Sequence, residues 1–570
     1  MFHQEPAPVG DSLLLSALVA LLPLLTIFLL LGVFRVKAHL AGLASLLVAM
    51  GVSVLAFHMP MQLALLSASQ GAVFGLFPIM WIVLNAVWLY QVTVVSGRFE
   101  DLRGAFRLVS DDPRVQAIII AFCFGGLLEA LAGFGAPVAI TGVMLMALGF
   151  SPMRAAAVVL LANTAPVAYG AIATPIITAA NLTKIPVEDI GGVVGRQTPV
   201  LALFVPLLLV GLVDGRRGLR QVWPIALFTG AVFAVAQFAA ANFISVELTD
   251  VIASLAGLAA AVLFLRVWQP RGGEAAAETL RIESEREHSE LSASGGSGGA
   301  GGAAGTTTKA RPASSDTHTH PSPDKILMAF LPYLIVIAVF AMAKLWTPVK
   351  TFLVGHDVKI KWPGLDGNIL SASGKPSTAT IYTFPWLSSP GTLLLICGVI
   401  TAVIYRVAAR DAIGEYAAVL NRMKFALLTV SSVLALAYVM NFSGQTITIG
   451  TWIAAAGAAF AFFSPILGWL GTAVTGSDTS ANALFATLQQ TVGTKTGIDP
   501  TLLVSANTSG GVLGKMISPQ NLTIAATSVG LAGRESDIFR KVVLWSLGLL
   551  LAMCVLVYLQ STPVLSWMLG

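Results

Sequence analysis

ANTAPVAYGAIATP (residues 162–175) and ANTSGGVLGKMISP (residues 506–519) are the two stretches that decide the fold. Ala, Asn, Thr, Gly and Pro occupy corresponding places in both, and each stretch lies within a long apolar segment. Because an Asn-Thr pair and a Pro disfavour an uninterrupted helix in lipid, each copy predicts a broken helix. Two such copies in one chain predict an internally repeated architecture of the kind found in secondary transporters.

The composition indicates a membrane protein. Apolar residues make up 56% of the chain and charged residues only 11%, whereas a soluble domain carries roughly 25% charge. The net charge of +5 comes from basic residues between apolar segments, where they orient a membrane protein, so it does not predict nucleic-acid binding. The three cysteines lie in apolar stretches without metal-ligand spacing, and we interpret them as packing residues. No metal or other cofactor is expected.

Hydropathy predicts an all-α polytopic membrane protein with about 12 spans and two re-entrant hairpins. The spans are predicted at residues 13–34, 38–57, 70–96, 153–180, 191–213, 221–245, 248–267, 325–345, 386–405, 424–443, 500–530 and 541–560. Two further apolar stretches, residues 116–150 and 450–492, are interrupted by GFGAP and TGSDTS. In each we expect at least one arm to be too short to cross ~30 Å of hydrocarbon. Their tips should therefore be buried in protein, where backbone polar groups find partners.

Basic residues predict the orientation of these segments. Arg35 and Lys37 follow the first span, which places the amino terminus outside the cell. By the same count, the later basic clusters fall in the cytoplasm: Arg98, Arg103, Arg107, Arg114, Arg154, Arg216, Arg217, Arg220, Arg406, Arg410, Arg422, Lys424, Arg534, Arg540 and Lys541. The first hairpin then enters from the cytoplasm and the second from outside. The two halves have opposite orientation, which predicts an inverted repeat with its substrate site near the membrane midplane.

The predicted organisation has six parts. They are an N-terminal span (1–37), a first inverted repeat (38–213) with hairpin 116–150 and broken helix 153–180, connecting spans (214–267), a flexible cytoplasmic linker (268–324), a span with an extracellular loop (325–385), and a second inverted repeat (386–570) with hairpin 450–492 and broken helix 500–530. The linker contains EAAAETLRIESEREHSEL, which favours a short helix, and a Gly/Ser-rich run typical of flexible chain. We interpret its His318 and His320 as solvated.

Glu129 and Asp478 are acidic residues within the two predicted hairpins. An ionised carboxylate near the bilayer centre costs roughly 2.5–3.5 kcal/mol, so such a residue is a functional candidate by default. Burial disfavours its charged form and keeps it protonatable near neutral pH. We predict that both residues couple transport to protons. Glu129 could instead cross-link backbone at the hairpin tip, and Asp478 could cap the returning helix.

The predicted substrate-binding residues surround the helix breaks and hairpin tips. Lys515 needs an anionic partner at its depth, which a substrate carboxylate, Asp478 or Glu129 could supply, unless it snorkels to an interface. Amide and hydroxyl side chains at the breaks are expected to bond freed backbone groups, beside half-helix N–H groups that attract an anion. Small residues at the tips let a ligand approach backbone, although Gly and Ala also serve tight helix packing. Besides Lys515, the set is Asn163, Thr164, Gly133, Gly135, Ser477, Asn507, Thr508 and Ser509.

Four stretches resemble the L-lactate permease family: LEALAGFGAPVAITG (128–142), LANTAPVAYGAIATP (161–175), GSDTSANALF (476–485) and SANTSGGVLGKMISPQ (505–520). The resemblance covers almost the whole chain. It implies import of L-lactate, and often glycolate or D-lactate, with protons across the bacterial plasma membrane. It also implies kinship with the wider ion transporter superfamily, whose members use paired Ser-Asn-Thr motifs. A homodimer is expected only by analogy with elevator-type members of that superfamily.

Competing functions remain open at this level. Sodium-coupled carboxylate uptake is the alternative, but Ala162 and Ala506 stand where sodium-coupled relatives have Ser. An intramembrane enzyme is disfavoured, because Asp478 is the only Asp predicted inside an apolar hairpin or helix core, and there is no HExxH. A GxSxG match at residues 295–299 lies in the low-complexity linker, away from any strand–turn–helix context. A channel is the third alternative, which concentrative uptake would exclude.

Overall fold

A computed structural model describes residues 1–98, 101, 110–133, 135–294, 323–371, 374 and 376–569. The described chain is almost entirely helical, as predicted. Its amino-terminal helices are α1 (Leu13–Ala20), α2 (Leu22–Phe28), α3 (Ala38–Leu55), α4 (Met61–Phe74), α5 (Trp81–Val95), α6 (Pro113–Gln116), α7 (Gly125–Leu131), α8 (Ala136–Met146), α9 (Pro152–Ala162), α10 (Gly170–Thr183), α11 (Val187–Ala202), α12 (Val205–Phe243), α13 (Thr249–Val267) and α14 (Gly273–Ser294).

The rest of the described chain adds ten helices and a few short strands. The helices are α15 (Pro323–Leu345), α16 (Thr347–Gly355), α17 (Pro390–Ile404), α18 (Ala409–Ser443), α19 (Gln445–Ile453), α20 (Phe460–Thr475), α21 (Asp478–Thr496), α22 (Pro500–Gly514), α23 (Pro519–Ser528) and α24 (Glu535–Gln560). The strands are β1 (Phe2–His3), β2 (Val358–Lys361), β3 (Ile369–Leu370) and β4 (Ile381–Phe384). Short π- or 3₁₀-helical turns lie at Leu29–Val33, Gly75–Met80, Ala117–Phe124, Val167–Tyr169, Thr378–Thr380, Ala454–Ala459, Lys515–Ile517 and Ser566–Met568.

Ten helical segments of the described chain are long and apolar enough to cross a membrane, or eleven if one bent pair counts as a span. The sequence predicted about 12. One segment, Val187–Phe243, covers two predicted spans and leaves helical geometry at Gly215. The helix Pro390–Ile404 has only 15 residues, and the predicted span 500–530 does not qualify. The first arms of both predicted hairpins do qualify, as Pro113–Leu131 and Gln445–Thr475.

The first hairpin runs from residue 113 to residue 146. Its first arm, Pro113–Leu131, is completely buried, and α8 packs back against it. Gly133 and Gly135 both have positive φ, which an L side chain adopts only with strain. α8 has 11 residues, so it spans only about 16 Å. The first hairpin thus has one short arm, and its re-entrant course in a membrane stays a prediction.

The second hairpin, α20 and α21, reverses at Gly476, where φ is +79°. Its arms are α20 with 16 residues and α21 with 19, and α20 is the end of the longer apolar segment Gln445–Thr475, which leaves helical geometry at Gly457. What excludes α21 from the apolar candidates is polarity, since it carries Asp, Thr, Ser, Asn and Gln side chains along its length. The side chain of Ser477 accepts a hydrogen bond from the backbone N–H of Ser480 and caps α21.

The first broken helix, α9 and α10, bends by 66° after Ala162, as the Asn-Thr pair predicted. Ala171, Ile172 and Ala173 follow with left-handed backbone, φ +43° to +57°. Left-handed non-glycine residues cost roughly 1–2 kcal/mol each. Strain of this kind concentrates at functional sites.

The second broken helix differs from the prediction. Asn507 and Thr508 lie inside the continuous helix α22, and the break comes later, at the turn 515–517 and at Ser518, which caps α23. The reason is that α21 supplies hydrogen bonds to both side chains, so neither competes for the backbone of its own helix. Pro519 then begins α23, where its missing N–H costs nothing.

The segments that connect the long helices form two separate sets of polar contacts. In one group, β1 pairs with β3, and Glu247 forms an ion pair of 2.5 Å with Lys344. In the other, α14 contacts the start of α9 through an Arg154–Glu283 ion pair of 2.6 Å. Residues 273–294 therefore form a helix, as the sequence predicts, but this helix contacts α9 and is not a free part of the linker. Residues 295–322, with His318 and His320, lie outside the described residues.

Candidate functional site

A small cavity of about 40 Å³ lies where both hairpins and both broken helices meet. Its lining is Glu129, Gly133, Val167, Gly170, Ala171, Thr174, Pro175, Gly476, Ser477, Asp478, Thr479 and Lys515. Five of these were predicted: Glu129, Gly133, Ser477, Asp478 and Lys515. The tertiary structure therefore brings together side chains that are more than 380 residues apart, since Glu129 and Lys515 are separated by 386 positions.

A buried ion pair is the central feature of this cavity. Lys515 Nζ donates a hydrogen bond of 2.6 Å to Glu129 Oε1, and the side chains are 9% and 3% exposed. Of the anionic partners considered for Lys515, Glu129 is the one in direct contact, so Lys515 does not snorkel. Glu129 Oε2 is buried and accepts no hydrogen bond from the described residues.

Asp478 is a second buried carboxyl group at the same cavity. Its Oδ1 lies 3.5 Å from Thr472 Oγ1, at the limit of a hydrogen bond, and its Oδ2 has no hydrogen-bond partner among the described residues. Ser477, not Asp478, is the N-cap of α21. The carboxyl group is thus not used as a side-chain cap, and Asp478 remains available for chemistry in the cavity.

Each carboxyl group lies against a glycine of the broken helix from its own half. A Cβ on Gly170 would be 2.7 Å from Glu129 Oε1, and one on Gly511 would be 1.9 Å from Asp478 Oδ1. No larger residue fits at either place without displacing the carboxyl group. Gly170, which belongs to the repeated motif, therefore allows the Glu129 side chain to approach the backbone closely.

Two helix starts line the cavity. α21 begins at Asp478, and regular right-handed helix in α10 resumes at Thr174 after its left-handed turn. The N-terminus of a helix carries a partial positive charge and free N–H groups, which favour an anion. Together with Lys515, they give the cavity groups that attract a carboxylate.

The remaining predicted substrate residues do not line this cavity. Asn163 and Thr164 border a closed cleft on another side of Lys515, where Asn163 Oδ1 has no partner among the described residues. Thr164 Oγ1 donates to Leu161 O at 2.7 Å, as expected for a residue at a break. Gly135 lies against Ile524 of α23.

Asn507, Thr508 and Ser509 bind neighbouring helices instead. Asn507 Nδ2 and Thr508 Oγ1 both donate to Asn482 Oδ1 of α21, at 3.0 and 3.1 Å. Ser509 Oγ donates to Gln197 Oε1 of α11 at 2.6 Å. These residues hold the second broken helix against α21 and α11, which places Lys515 in the cavity.

The second broken helix also touches its hairpin through backbone. Cβ atoms built on Gly468 and Gly510 would lie 1.8 Å from Asn507 O and 2.0 Å from Pro465 O. Small residues allow helices to approach this closely. The Gly-rich character of α20 and α22 thus serves helix packing, which the sequence analysis kept as the alternative use of Gly and Ala.

Sequence reasoning missed several cavity residues and one buried acid. Gly170, Thr174 and Pro175 were visible in the repeated motif but were not chosen as site residues. Asp250 is fully buried in the first turn of α13, near the edge of the predicted span 248–267, and it was not chosen as a candidate. Its position near the edge of an apolar stretch hid it. No group of three or more His, Cys, Asp or Glu suited to a metal occurs in the described part of the chain.

Comparison with known proteins assigns the chain to a family. It is 42% identical to the L-lactate permease of Bacillus subtilis over 99% of both chains. It is 40% identical to the glycolate permease GlcA of Escherichia coli over 95% of this chain and 94% of the relative, and 38% identical to an E. coli L-lactate permease over 100% and 99%.

A solved structure, the YdaH transporter of Alcanivorax borkumensis, aligns over 84% of each chain with 16% identity and a TM-score of 0.40. The relatives and the many apolar helices indicate a multi-pass protein of the bacterial plasma membrane. The sequence profile of L-lactate permease matches residues 16–564, and the chain therefore belongs to the L-lactate permease family.

Proposed function

We propose that this chain imports L-lactate and related 2-hydroxymonocarboxylates, namely glycolate and D-lactate, by proton symport. Relatives named L-lactate permease and glycolate permease support the substrate class. The charges around the cavity support the coupling. Lys515 supplies one positive charge, whereas Glu129 and Asp478 supply two negative charges when both are ionised.

The ion pair gives a physical reason for coupling. While Glu129 is ionised, it neutralises Lys515 at 2.6 Å, and an incoming carboxylate finds no unpaired cation. A proton on Glu129 removes that negative charge and leaves Lys515 to pair with the lactate carboxylate. Proton and anion therefore favour each other's binding, and this coupling is reciprocal by thermodynamic linkage. A proton on Asp478 would act in the same direction.

The substrate hydroxyl forms hydrogen bonds with neutral side chains. In the cavity, the hydroxyl-bearing side chains are Thr174, Ser477 and Thr479. Asn163 and Thr164, which line a cleft beside Lys515, remain proposed substrate residues, because a small movement of the lysine would place a bound substrate within their reach. We assign Asn507, Thr508 and Ser509 a positioning role, since their side chains bond neighbouring helices.

The halves are proposed to form an inverted repeat with two re-entrant hairpins. The two groups of connecting segments support this topology. β1 at the amino terminus pairs with β3 of the loop 346–385, and both were predicted outside the cell. Arg154 pairs with Glu283 of the linker helix, and both were predicted in the cytoplasm. A cysteine at Gly364 should therefore react with an impermeant thiol reagent in intact cells, and one at Gly296, outside the described residues, should not. The reverse pattern would overturn the topology.

One experiment tests the transport function directly. The purified protein in proteoliposomes should accumulate radiolabelled L-lactate when the lumen is alkaline, without sodium. Accumulation that needs a sodium gradient and ignores pH would favour sodium-coupled uptake instead. Uptake that never exceeds equilibrium under either gradient would indicate a channel.

A further inference from the structure

Asp250 is a buried acid that the proposed transport cycle has not yet used. It lies in the first turn of α13 and is 0% exposed. Its Oδ1 accepts a hydrogen bond of 2.8 Å from Gln237 Nε2, and its Oδ2 has no hydrogen-bond partner among the described residues. Within the described residues, Asp250 forms no ion pair with a lysine or arginine. A buried acid without a cation is costly to keep ionised, so such residues are functional candidates.

Helix packing brings Asp250 to Glu129. α13 packs against α7, and a Cβ on Gly126 of α7 would lie only 2.7 Å from Ser254 Oγ of α13. One turn onward, α7 carries Glu129; one turn back, α13 carries Asp250. A Cβ on Gly257 of α13 would lie 3.6 Å from Cys123 Sγ, so the two segments run antiparallel, and the two acids continue the Gly126–Ser254 contact in the same direction. Glu129 Oε2, Asp250 Oδ2 and Ser254 Oγ are all buried without hydrogen-bond partners in the described chain.

Asp250 is also joined to the first helix break. Gln237 Nε2, which binds Asp250, lies 3.3 Å from Ala165 O within that break. Gln237 Oε1 accepts from Thr198 Oγ1 at 3.3 Å. Gln237 Nε2 thus bonds both Asp250 and Ala165, so the protonation state of Asp250 affects a hydrogen bond to the helix break that bends by 66°.

A larger cleft of about 510 Å³ lies near Asp250, on the side predicted to face outside. Glu188, Arg196 and Asp499 are among its lining residues. Tyr169 lies beside the helix that borders this cleft: its hydroxyl donates to Gly191 O at 2.7 Å, next to Gly192 of the cleft lining. Val246 of the cleft lining precedes Asp250 by four residues, so the outer cleft reaches the start of α13, on which Asp250 lies.

We infer that Asp250 is a further proton-binding carboxyl group, besides Glu129 and Asp478, which passes a proton to Glu129 from the outer cleft. The proton leaves the Asp250 carboxyl group and binds the Glu129 carboxylate, so Asp250 becomes ionised and Lys515 loses its partner. The titratable and charged groups around Asp250 are Glu129, Tyr169 and, three residues earlier, Glu247 with its partner Lys344. The inference rests on the proposed proton symport.

Asp250→Asn in the full-length protein tests this assignment. Asn keeps an oxygen for Gln237 but cannot carry a proton at neutral pH. In proteoliposomes, uphill lactate uptake on a pH gradient should fall about tenfold or more, as expected on loss of a positioned proton-transfer group. Lactate counterflow at equal pH should stay close to wild type, because exchange need not cycle the proton. Asp250→Glu should restore part of the uphill uptake.

Asp411→Asn is the matched control, since Asp411 also lies in the first turn of a helix, α18, but is exposed and lines neither the cavity nor the outer cleft. It should behave like wild type in both assays. Wild-type uphill uptake in Asp250→Asn would overturn the inference and leave proton symport intact. Equal loss of uphill uptake and counterflow in Asp250→Asn would also overturn it, since that is the signature of a structural role. A wild-type protein that ignores the pH gradient would overturn the proposed symport and this inference together.

Discussion

Replacing Glu129 by Gln tests the coupling between proton and substrate. In the proposed mechanism, where Glu129 is ionised in the substrate-free protein, lactate binding requires a proton, because Lys515 loses its partner at 2.6 Å only when Glu129 is protonated. One linked proton raises the lactate Kd tenfold per pH unit, which is about 1.4 kcal/mol. If Asp478 takes up a second proton, the slope is steeper.

Gln at position 129 imitates the protonated carboxyl group at every pH. The slope of log Kd against pH should therefore fall by one, and at alkaline pH the variant should bind lactate more tightly than wild type. Two pH units then correspond to about 2.7 kcal/mol of differential binding. Calorimetric titration of lactate at several pH values measures this slope. Uphill uptake on a pH gradient should be lost, while counterflow survives.

A matched control is available elsewhere in the chain. Glu247 and Lys344 form another largely buried Glu–Lys pair, at 2.5 Å, outside the cavity. Glu247→Gln should keep the wild-type slope of lactate binding. An unchanged slope in Glu129→Gln would refute the reasoning, because it would mean that the proton linked to lactate binds another group.

Further changes should have distinct outcomes. Lys515→Met leaves Glu129 buried without its cation, which typically costs about 3–5 kcal/mol, so the thermal midpoint of the protein should drop and its lactate affinity should fall. Adding Glu129→Gln to this variant should recover the thermal midpoint but not the lactate affinity. A wild-type midpoint in the single variant would count against a buried pair. Gly510→Ala should destabilise the protein because its Cβ would sit 2.0 Å from Pro465 O, whereas Gly548→Ala, with no described atom within 4 Å, should not; equal melting curves would argue against the close helix contact. Glycolate should compete with labelled lactate, propionate and acetate poorly, and succinate hardly at all, because a site that bonds a hydroxyl rejects analogues without it; strong competition by propionate would rule that out.

Local patterns in the sequence determined the class of the protein and the bend after Ala162. Apolar length and low charge fix a membrane-embedded helical chain, because lipid leaves backbone polar groups no other partner than a helix. The same low charge made Glu129, Asp478 and Lys515 conspicuous, and all three line one cavity. A charge within an apolar segment is costly wherever the chain folds, so it can be recognised without a structure.

Only the tertiary structure decided which charges pair and which breaks form. Lys515 could have faced Asp478 or lactate, and its contact with Glu129 depends on how helices 386 positions apart pack. The second Asn-Thr pair does not break its helix, because Asn482 of a neighbouring helix satisfies it. Asp250 resembles an ordinary residue at a span edge until α7 and α12 cover it. Partners distant in sequence compete for the same polar groups, and the outcome of that competition is a property of packing.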